Sequence, residues 1–265
     1  MARYPRLMPT EPRLFTATVA RTERVSPSFQ RVTITGGELA AFEWLGRDHW
    51  FRLFLPQAPG APLRLPKVKG RSWWRSYLMI PAGERPHCSN YTVADFRPDG
   101  EASELDIDVV LHWHGDELGG AVATWAVGAV PGSPVGFLDQ GAMFDPPEDA
   151  SEFCLAADET GLPGLRGILR HLPESATGTA FLEVPDAGDV TELAAPAGVD
   201  VCWLPRTNGH TPGQLALAAL QEVSPHPDGY AFVVGESGLA TGGRRALKKA
   251  GLPTSRITFS GFWRA

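Results

Sequence analysis

The chain has few cysteines and no long apolar segment, and these absences narrow its class. Cys88, Cys154 and Cys202 are scattered along 265 residues without a CxxC pair, so the sequence predicts neither a disulfide framework nor a zinc site. No run of about 18 apolar residues occurs, and the N-terminal residues lack the apolar core of a secretory signal. We therefore expect a cytoplasmic protein with reduced thiols and no membrane insertion.

An excess of positive charge and the common nucleotide and nucleophile motifs are also missing. The formal net charge of -6 argues against bulk electrostatic binding of nucleic acid. No GxGxxG, GxxxxGK[ST] or GxSxG pattern is present. This excludes a standard Rossmann fingerprint, a P-loop and the nucleophile elbow of an α/β-hydrolase.

Glycine and proline are plentiful, and enough apolar residues are present for a packed core. The 29 glycines and 24 prolines favour many short strands and turns over a helical bundle. Hydrophobic residues make up 43% of the chain, so disorder is not its main state.

Period-two alternation in the first half predicts an antiparallel β-barrel. Strands are predicted within residues 14–34, at 50–56, and at 135–138, with a hairpin formed by 90–96 and 104–112. A short helix is expected at 121–126, and residues 57–72 form a polar, basic loop. The apolar residues that follow it, Trp73 to Met79, either contact an apolar substrate or form a lid packed on the barrel.

The second half alternates strands with helices, which is typical of a doubly wound parallel α/β domain. Strands are expected at 153–157, 179–184, 199–204, 230–234 and 256–260; helices are expected at 162–171, 213–222 and 242–250. Pro146-Pro147 marks the change of rhythm. We therefore predict a barrel domain at residues 1–147 and an α/β domain at 148–265.

Three segments carry candidate chemistry, and each also has a purely structural interpretation. Tyr91-Thr92 begins a strand, where it either stacks on a planar ring or is ordinary barrel sequence. Gly119-Gly120 precedes a helix and either offers N–H groups to a phosphate or forms a turn. Asp158 to Gly164 follows a parallel strand, where it either binds a nucleotide or caps a helix; Gly235-Glu236 closes a later strand at the same edge. His112 and His114, without an acidic partner nearby in sequence, are not predicted to bind a metal.

The order of these segments resembles the siderophore-interacting protein family of the ferredoxin-reductase superfamily. The resemblance covers nearly the whole chain. The segments that carry it are Ser26 to Ile34, Gly46-Arg47-Asp48-His49, Tyr91-Thr92-Val93, Asp106 to His112, Gly120 to Ala126, Asp158-Glu159-Thr160, Trp203 to Arg206, Gly235-Glu236 and Gly261 to Arg264.

The resemblance implies an FAD between the barrel and the α/β half, with NAD(P)H or ferredoxin as the electron donor and a ferric siderophore as the small-molecule substrate. Tyr91 would pack on the flavin ring, the helix start at Gly120 would hold the pyrophosphate, and the nicotinamide nucleotide would dock near Asp158. The cofactor-binding residues implied are Ser89, Tyr91, Thr92, Val93, His112, His114, Gly120, Ala121, Ala123, Thr124, Trp125, Asp158, Thr160, Gly235, Glu236 and Trp263.

Two further expectations concern charge. Lys67, Lys69, Arg71 and Arg75 either steer an anionic ferric chelate towards the site or form a solvated basic loop. The family pattern has arginines at the positions of Ser89 and Ala94, and either Arg85 or Arg97 could replace that charge. A second hypothesis is therefore a repurposed member with weak FAD binding that acts as a cyclase or tailoring enzyme of secondary metabolism.

Overall fold

The structure, a computed structural model, describes residues 7–10, 13–68, 73–207 and 209–265. It contains a seven-stranded antiparallel sheet and a five-stranded parallel sheet. The strands of the first sheet are β1 (Leu14–Ser26), β2 (Phe29–Thr35), β3 (Trp50–Leu55), β4 (His87–Thr92), β5 (Asp95–Arg97), β6 (Glu104–Val110) and β9 (Pro134–Asp139).

The first sheet closes on itself because its two edge strands are consecutive in sequence. Its order is β4-β3-β9-β1-β2-β6-β5, and only Val93 and Ala94 separate the edges β4 and β5. The Val93 N–H donates to the carbonyl of His49, and the Ala94 N–H donates to the carbonyl of Asp106. The two residues therefore bridge the edges and complete the predicted barrel.

The predicted hairpin of 90–96 with 104–112 is wrong in its first half. Residues 90–92 belong to β4, which pairs with β3, and only β5 pairs with β6. The sequence pattern missed the break because alternation continues through Val93, whose side chain is buried in the barrel core. Because β4 pairs only with β3 among the described strands, Tyr91 lies on an edge strand of the sheet.

Two short helices and a second hairpin cover the barrel. Helix α1 (Trp73–Leu78) packs Tyr77 against Phe54 and Leu138, so this segment covers the barrel as the lid interpretation expects. A hairpin of β7 (His112–His114) and β8 (Glu117–Gly119) leads into helix α2 (Ala121–Gly128). The buried residues of α2 join the barrel core, which fixes the beginning of the helix against the barrel.

The second sheet has the predicted doubly wound form. Its strands are β10 (Glu152–Ala157), β11 (Thr177–Val184), β12 (Gly198–Pro205), β13 (Tyr230–Glu236) and β14 (Ile257–Trp263), and its helices are α3 (Leu162–His171), α4 (Gln214–Gln221) and α5 (Ser237–Lys249). The order is β12-β11-β10-β13-β14, and α3 packs on one face while α4 and α5 pack on the other. The strand order reverses between β10 and β13, which is where open α/β sheets bind ligands. Among the described residues, no helix is both long and apolar enough to cross a bilayer.

Glycines on α3 allow the two halves of the molecule to meet closely. Gly164 lies against Asp48, and a Cβ on it would be 3.3 Å from the Asp48 Cβ. One turn later, Gly167 lies directly against the backbone carbonyl of Arg47. No larger residue fits at Gly167 without a shift of the backbone.

Polar contacts extend the same seam. Arg166 of α3 pairs with Asp108 of the barrel at 3.1 Å, and Arg170 pairs with Asp95 at 3.2 Å. The buried Asp189 accepts hydrogen bonds from the Ser26 hydroxyl at 2.6 Å and from the Ser28 N–H at 2.8 Å. The halves are therefore joined from both ends of the seam.

We expect Gly167→Ala to lower the free energy of unfolding by about 1–3 kcal/mol, because the added methyl overlaps the Arg47 carbonyl and the seam must open. Chemical denaturation measures the change. The matched control is Gly128→Ala at the end of α2, where nothing lies within 4 Å of the new methyl. That variant should be unchanged or more stable by up to about 1 kcal/mol. Equal stability of the two variants would contradict the close packing of α3.

Candidate functional site

A cleft of about 830 Å³ lies between the barrel and the parallel sheet. The barrel contributes β3, β4, β6 and the start of α2, and the α/β half contributes the start of α3 and the end of β14. Nine of the residues predicted to bind a cofactor line it: Ser89, Tyr91, Thr92, His112, Gly120, Ala121, Ala123, Thr160 and Trp263.

One wall of the cleft is formed by the end of β4. Tyr91 is half-buried, and burial raises the pKa of its phenol, so the ring is neutral at physiological pH. Thr92 faces the start of α3, with its methyl near Gly164. Val93 does not line the cleft, since its side chain is in the barrel core and its N–H is bonded to His49. The expected contact of Val93 with a flavin is therefore wrong.

The start of α2 presents unbonded backbone N–H groups to the cleft. The first bond of this helix runs from the Thr124 N–H to the Gly120 carbonyl, so the N–H groups of residues 121–123 have no acceptor within the helix. Gly120 has a φ of 89°, makes no side-chain cap and leaves open space where a Cβ would be. This end of α2 therefore suits an anion.

The next two residues of α2 face elsewhere. The Thr124 hydroxyl donates to the Gly120 carbonyl, and Trp125 packs against the barrel core. Neither lines the cleft. The sequence pattern did not separate them from Gly120 because one helical turn carries side chains to every face.

The opposite wall is organised by a buried carboxylate at the switch point of the parallel sheet. Asp158 accepts hydrogen bonds from the Thr160 hydroxyl at 2.6 Å, from the Glu236 N–H at 2.6 Å and from the Trp263 indole N–H at 2.9 Å. Burial raises the pKa of Asp158, although these donors act in the opposite direction. Asp158 is fully buried, so it positions Thr160 and Trp263 and does not itself face the cleft.

Gly235 and Glu236 pack behind this wall, against Asp158. Gly235 has a φ of 121° and lies against the Asp158 carboxylate, where a side chain would overlap it. Glu236 caps α5 by accepting a hydrogen bond from the Leu239 N–H at 3.2 Å, which is why α5 begins five residues earlier than predicted. Neither residue lines the cleft.

His112 lies beside Trp263 at the edge of the cleft. The two ring centroids are 5.4 Å apart, and the His112 Nδ1 is 4.0 Å from the buried Glu159 carboxylate. The side chain of His114 lies outside the described part of the structure. In the same described part, no group of three or more His, Cys, Asp and Glu side chains is arranged to hold a metal ion.

The sequence analysis missed Trp50 and Arg52, which line the cleft from β3. Arg52 donates to the Asn90 side chain at 3.0 Å, and its guanidinium lies over the rings of Trp50 and Trp73. The Nε atom of Arg52 and the indole nitrogen of Trp50 are buried without a hydrogen-bond partner. The alternation in Trp50-Phe51-Arg52 shows that residues 50 and 52 share a face, but not that this face borders the cleft.

His87 lies beside Ser89 in the cleft, although the sequence pattern indicates a site only at Ser89. They are two residues apart on β4, both line the cleft, and the His87 Nε2 is 2.8 Å from the Ser89 Oγ. The family pattern points to residue 89 but carries no signal for residue 87.

The two described members of the basic set expected at the site lie elsewhere. Lys67 and Arg75 are exposed and do not line the cleft, while Lys69 and Arg71 lie outside the described residues. Arg85 donates to the carbonyls of Leu78 and Ile80, at 2.7 and 3.0 Å from its Nη2 atom.

Arg97 is engaged in the same way, since it pairs with Asp106 and Glu104 of β6. Neither Arg85 nor Arg97 therefore faces the cleft in place of an arginine at residue 89.

A second cavity, of about 390 Å³, lies beyond Asp108 on the other side of α3. Ala94 lines this second cavity together with Arg31 and Arg166, which both pair with Asp108. Positions 89 and 94, which the family pattern treats together, therefore face different cavities in this chain.

The residues of the cleft fit a dinucleotide with a flat aromatic end. The Tyr91 ring, the open N-terminus of α2 and the unpartnered nitrogens of Trp50 and Arg52 provide a stacking surface, an anion site and unused donors. The cavity volume is in the range of cofactor sites.

Comparison with known proteins identifies related sequences and structures over nearly the whole chain. Residues 18–143 match the model of the siderophore-interacting FAD-binding domain, and residues 150–265 match that of the siderophore-interacting protein. The chain is 31% identical over 250 residues to the ferric vibriobactin reductase ViuB of Vibrio cholerae serotype O1, covering 92% of this chain and 83% of that protein.

Two further matches cover both chains almost fully. The NADPH-dependent ferric-chelate reductase of Escherichia coli K12 is 29% identical over 266 residues, which cover 99% of this chain and 98% of that protein. A siderophore utilization protein from T. fusca has a similar structure, with a TM-score of 0.78, 31% identity and coverage of 95% and 92%.

Proposed function

Because the chain belongs to the siderophore-interacting protein family, we propose that it is an FAD-dependent oxidoreductase that reduces ferric siderophores with electrons from NAD(P)H. The observation that carries this proposal is the cleft at the seam, with Tyr91 on the barrel wall and Trp263 on the opposite wall. These two aromatic side chains would hold a tricyclic ring at the seam, beside the carboxyl edge of the parallel sheet.

The residues of the barrel bind and orient the cofactor. Tyr91 would offer its ring face to the flavin, and Thr92, which also lines the cleft, carries a hydroxyl that could bond the polar edge of the ring. The start of α2 at Gly120 offers N–H groups to the pyrophosphate. Bound FAD supplies the conversion between a two-electron donor and a one-electron iron acceptor.

The α/β half positions the electron donor. Thr160 lines the cleft at the switch point, and Asp158 fixes both its hydroxyl and the indole of Trp263. These contacts hold Trp263 over the part of the cleft that a nicotinamide must enter. Asp158 therefore acts through Trp263 and Thr160.

Arg52 is the cation of the cleft that suits an anionic ferric chelate. It lies between two indole rings and no carboxylate of the described residues pairs with it, so its charge is available to a ligand. Reduction weakens the hold of oxygen chelators on iron, since Fe(II) suits them far less well than Fe(III). The three free thiols support a cytoplasmic location for this chemistry.

The proposal is tested by titrating the purified protein with FAD and then adding NADPH and a ferric chelate under anaerobic conditions. Flavin binding followed by trapping of Fe(II) with a chromogenic chelator is the expected result. A colourless protein that takes up no flavin would refute the proposal and favour the second hypothesis, an enzyme of secondary metabolism.

We expect Tyr91→Ala to weaken FAD binding by about tenfold, because the ring face that supports the flavin is lost. Tyr91→Phe keeps that face and should bind FAD within about twofold of the wild type. Fluorescence titration of the two variants measures the difference. Equal affinities of Tyr91→Ala and Tyr91→Phe would show that the flavin does not stack on residue 91.

A further inference from the structure

The face of β4 that carries Tyr91 continues along the cleft with two polar side chains. Residues 87, 89 and 91 lie on one face because side chains alternate along a strand, and successive members are about 7 Å apart. All three line the cleft, and the His87 Nε2 is 2.8 Å from the Ser89 Oγ. A ligand with a ring on Tyr91 that extends along this face meets first Ser89 and then His87.

The distribution of charged side chains in the cleft makes His87 and Ser89 important for a dianionic ligand. Arg52 on β3 is paired with Asn90 of β4, so these two side chains share one face of the strand pair. Tyr91, the next residue of β4, is on the opposite face. On the face of Tyr91, the group that can become cationic is His87. The other charged or titratable side chains that line the cleft are Asp48, Arg52, Tyr91, Asp108 and His112.

The surroundings of His87 leave its charge free to respond to a ligand. β4 is an edge strand, and its one neighbour in the sheet, β3, places Leu55 opposite His87. No carboxylate of the described residues lies within ion-pair distance of the imidazole. The adjacent Cys88 thiol interacts with Arg52, and Arg85 is bonded to backbone carbonyls, so neither fixes the charge of His87.

We propose that His87, with Ser89, is a phosphate-binding pair that makes FAD binding tighter as the pH falls. The inference rests on the proposed function, since it requires FAD in the cleft with its ring on Tyr91. Protonated His87 donates a charge-assisted hydrogen bond to a phosphate oxygen, and the Ser89 hydroxyl donates a second.

The direction of the pH effect follows from the environment of the imidazole. Burial lowers the pKa of His87 in the free protein, so the ring is neutral at physiological pH. A dianionic pyrophosphate beside the ring favours the protonated form and raises that pKa. Binding therefore takes up a proton, and because the pyrophosphate diester itself stays ionised throughout this range, the proton goes to the protein.

The first experiment measures FAD affinity by fluorescence titration at about pH 5.5 and about pH 8. We expect wild-type protein to bind FAD about tenfold more tightly at the lower pH. Asp48 also lines the cleft, and burial raises the pKa of its carboxyl to about 6, so His87→Gln should keep a pH dependence smaller than that of the wild type. His87→Arg, with a permanent cation, should show the same small dependence and bind more tightly than the wild type at the higher pH. Riboflavin, which has the ring but no phosphate, should bind wild type without the pH effect.

Calorimetry in two buffers of different ionisation enthalpy counts the protons taken up with FAD. Wild type should take up a fraction of one proton near neutral pH, and His87→Gln should take up measurably less, a difference that a merely structural histidine would not produce. FAD binding with equal pH dependence in wild type and His87→Gln, or with none in wild type, overturns the inference and leaves the proposed function standing. Absence of FAD binding at every pH overturns both.

Discussion

Ser89→Arg should bind FAD about tenfold to a hundredfold more tightly than the wild type. Residue 89 shares a face of β4 with Tyr91 and lines the cleft together with the start of α2, where we propose that the phosphates bind, so an arginine here would add a cation on their side. Each hydrogen bond to a charged group contributes about 1.5–3 kcal/mol, and about 1.4 kcal/mol changes affinity tenfold. Fluorescence titration of FAD at neutral pH measures the gain.

The matched control is Ala94→Arg, the second position at which the family pattern has an arginine. Ala94 lines the cavity beyond Asp108 and does not line the cleft, so the new cation is placed among the arginines and carboxylates of that second cavity, away from the cleft. We expect no gain in FAD affinity for a variant whose circular dichroism shows that it is folded. Tighter FAD binding by Ala94→Arg would place the phosphates on the other side of α3. No gain in FAD affinity for Ser89→Arg would show that residue 89 does not face the phosphates.

Arg206→Met should lower the free energy of unfolding by about 3–5 kcal/mol, because it leaves two buried carboxylates without their counter-ion. Arg206 bonds to Glu159 at 2.6 Å and to Glu183 at 3.0 Å, and both glutamates are fully buried. Glu183 also accepts hydrogen bonds from the N–H groups of Gly213 and Ala216, so it stabilises the start of α4. Urea denaturation measures the loss.

The loss should depend on pH in a defined direction. Burial raises the pKa of Glu159 in the folded protein above its ordinary value. A raised pKa gives stability that is present below the ordinary value and is lost as the pH rises through the folded value. Arg206 lowers that pKa, so Arg206→Met should raise it further. Because a protonated Glu159 needs no counter-ion, the defect of Arg206→Met should be smaller near about pH 5 than near about pH 8. Arg64→Met, which removes an exposed ion pair with Glu84, should cost less than about 1 kcal/mol at either pH.

The sequence predicts the fold of this chain better than it predicts the site. The order of strands and helices in the second half follows from period alone, and the parallel sheet confirms it. The family and the fold class are also confirmed. The barrel closure at Val93-Ala94 was missed because it depends on which strands become edges, and alternation does not encode this.

The errors in the site have one physical origin. Sequence neighbours were assigned to the cleft together, yet Val93, Thr124 and Trp125 face the barrel core or solvent. Arg52 and His87 were missed for the converse reason, since they reach the cleft through strand pairing and not through proximity in sequence to a motif. The cofactor roles of the individual residues that do line the cleft remain predictions, as does the domain boundary at residue 147.

The glycines of α3 have a consequence for how the enzyme works. Because the helix backbone at Gly164 and Gly167 touches the barrel loop directly, the two halves are held at a fixed spacing there, and ion pairs such as Arg166–Asp108 extend the contact. The distance between the ring of Tyr91 and the indole of Trp263 is consequently set largely when the chain folds. We therefore expect the width of the cleft to change little when a ligand binds.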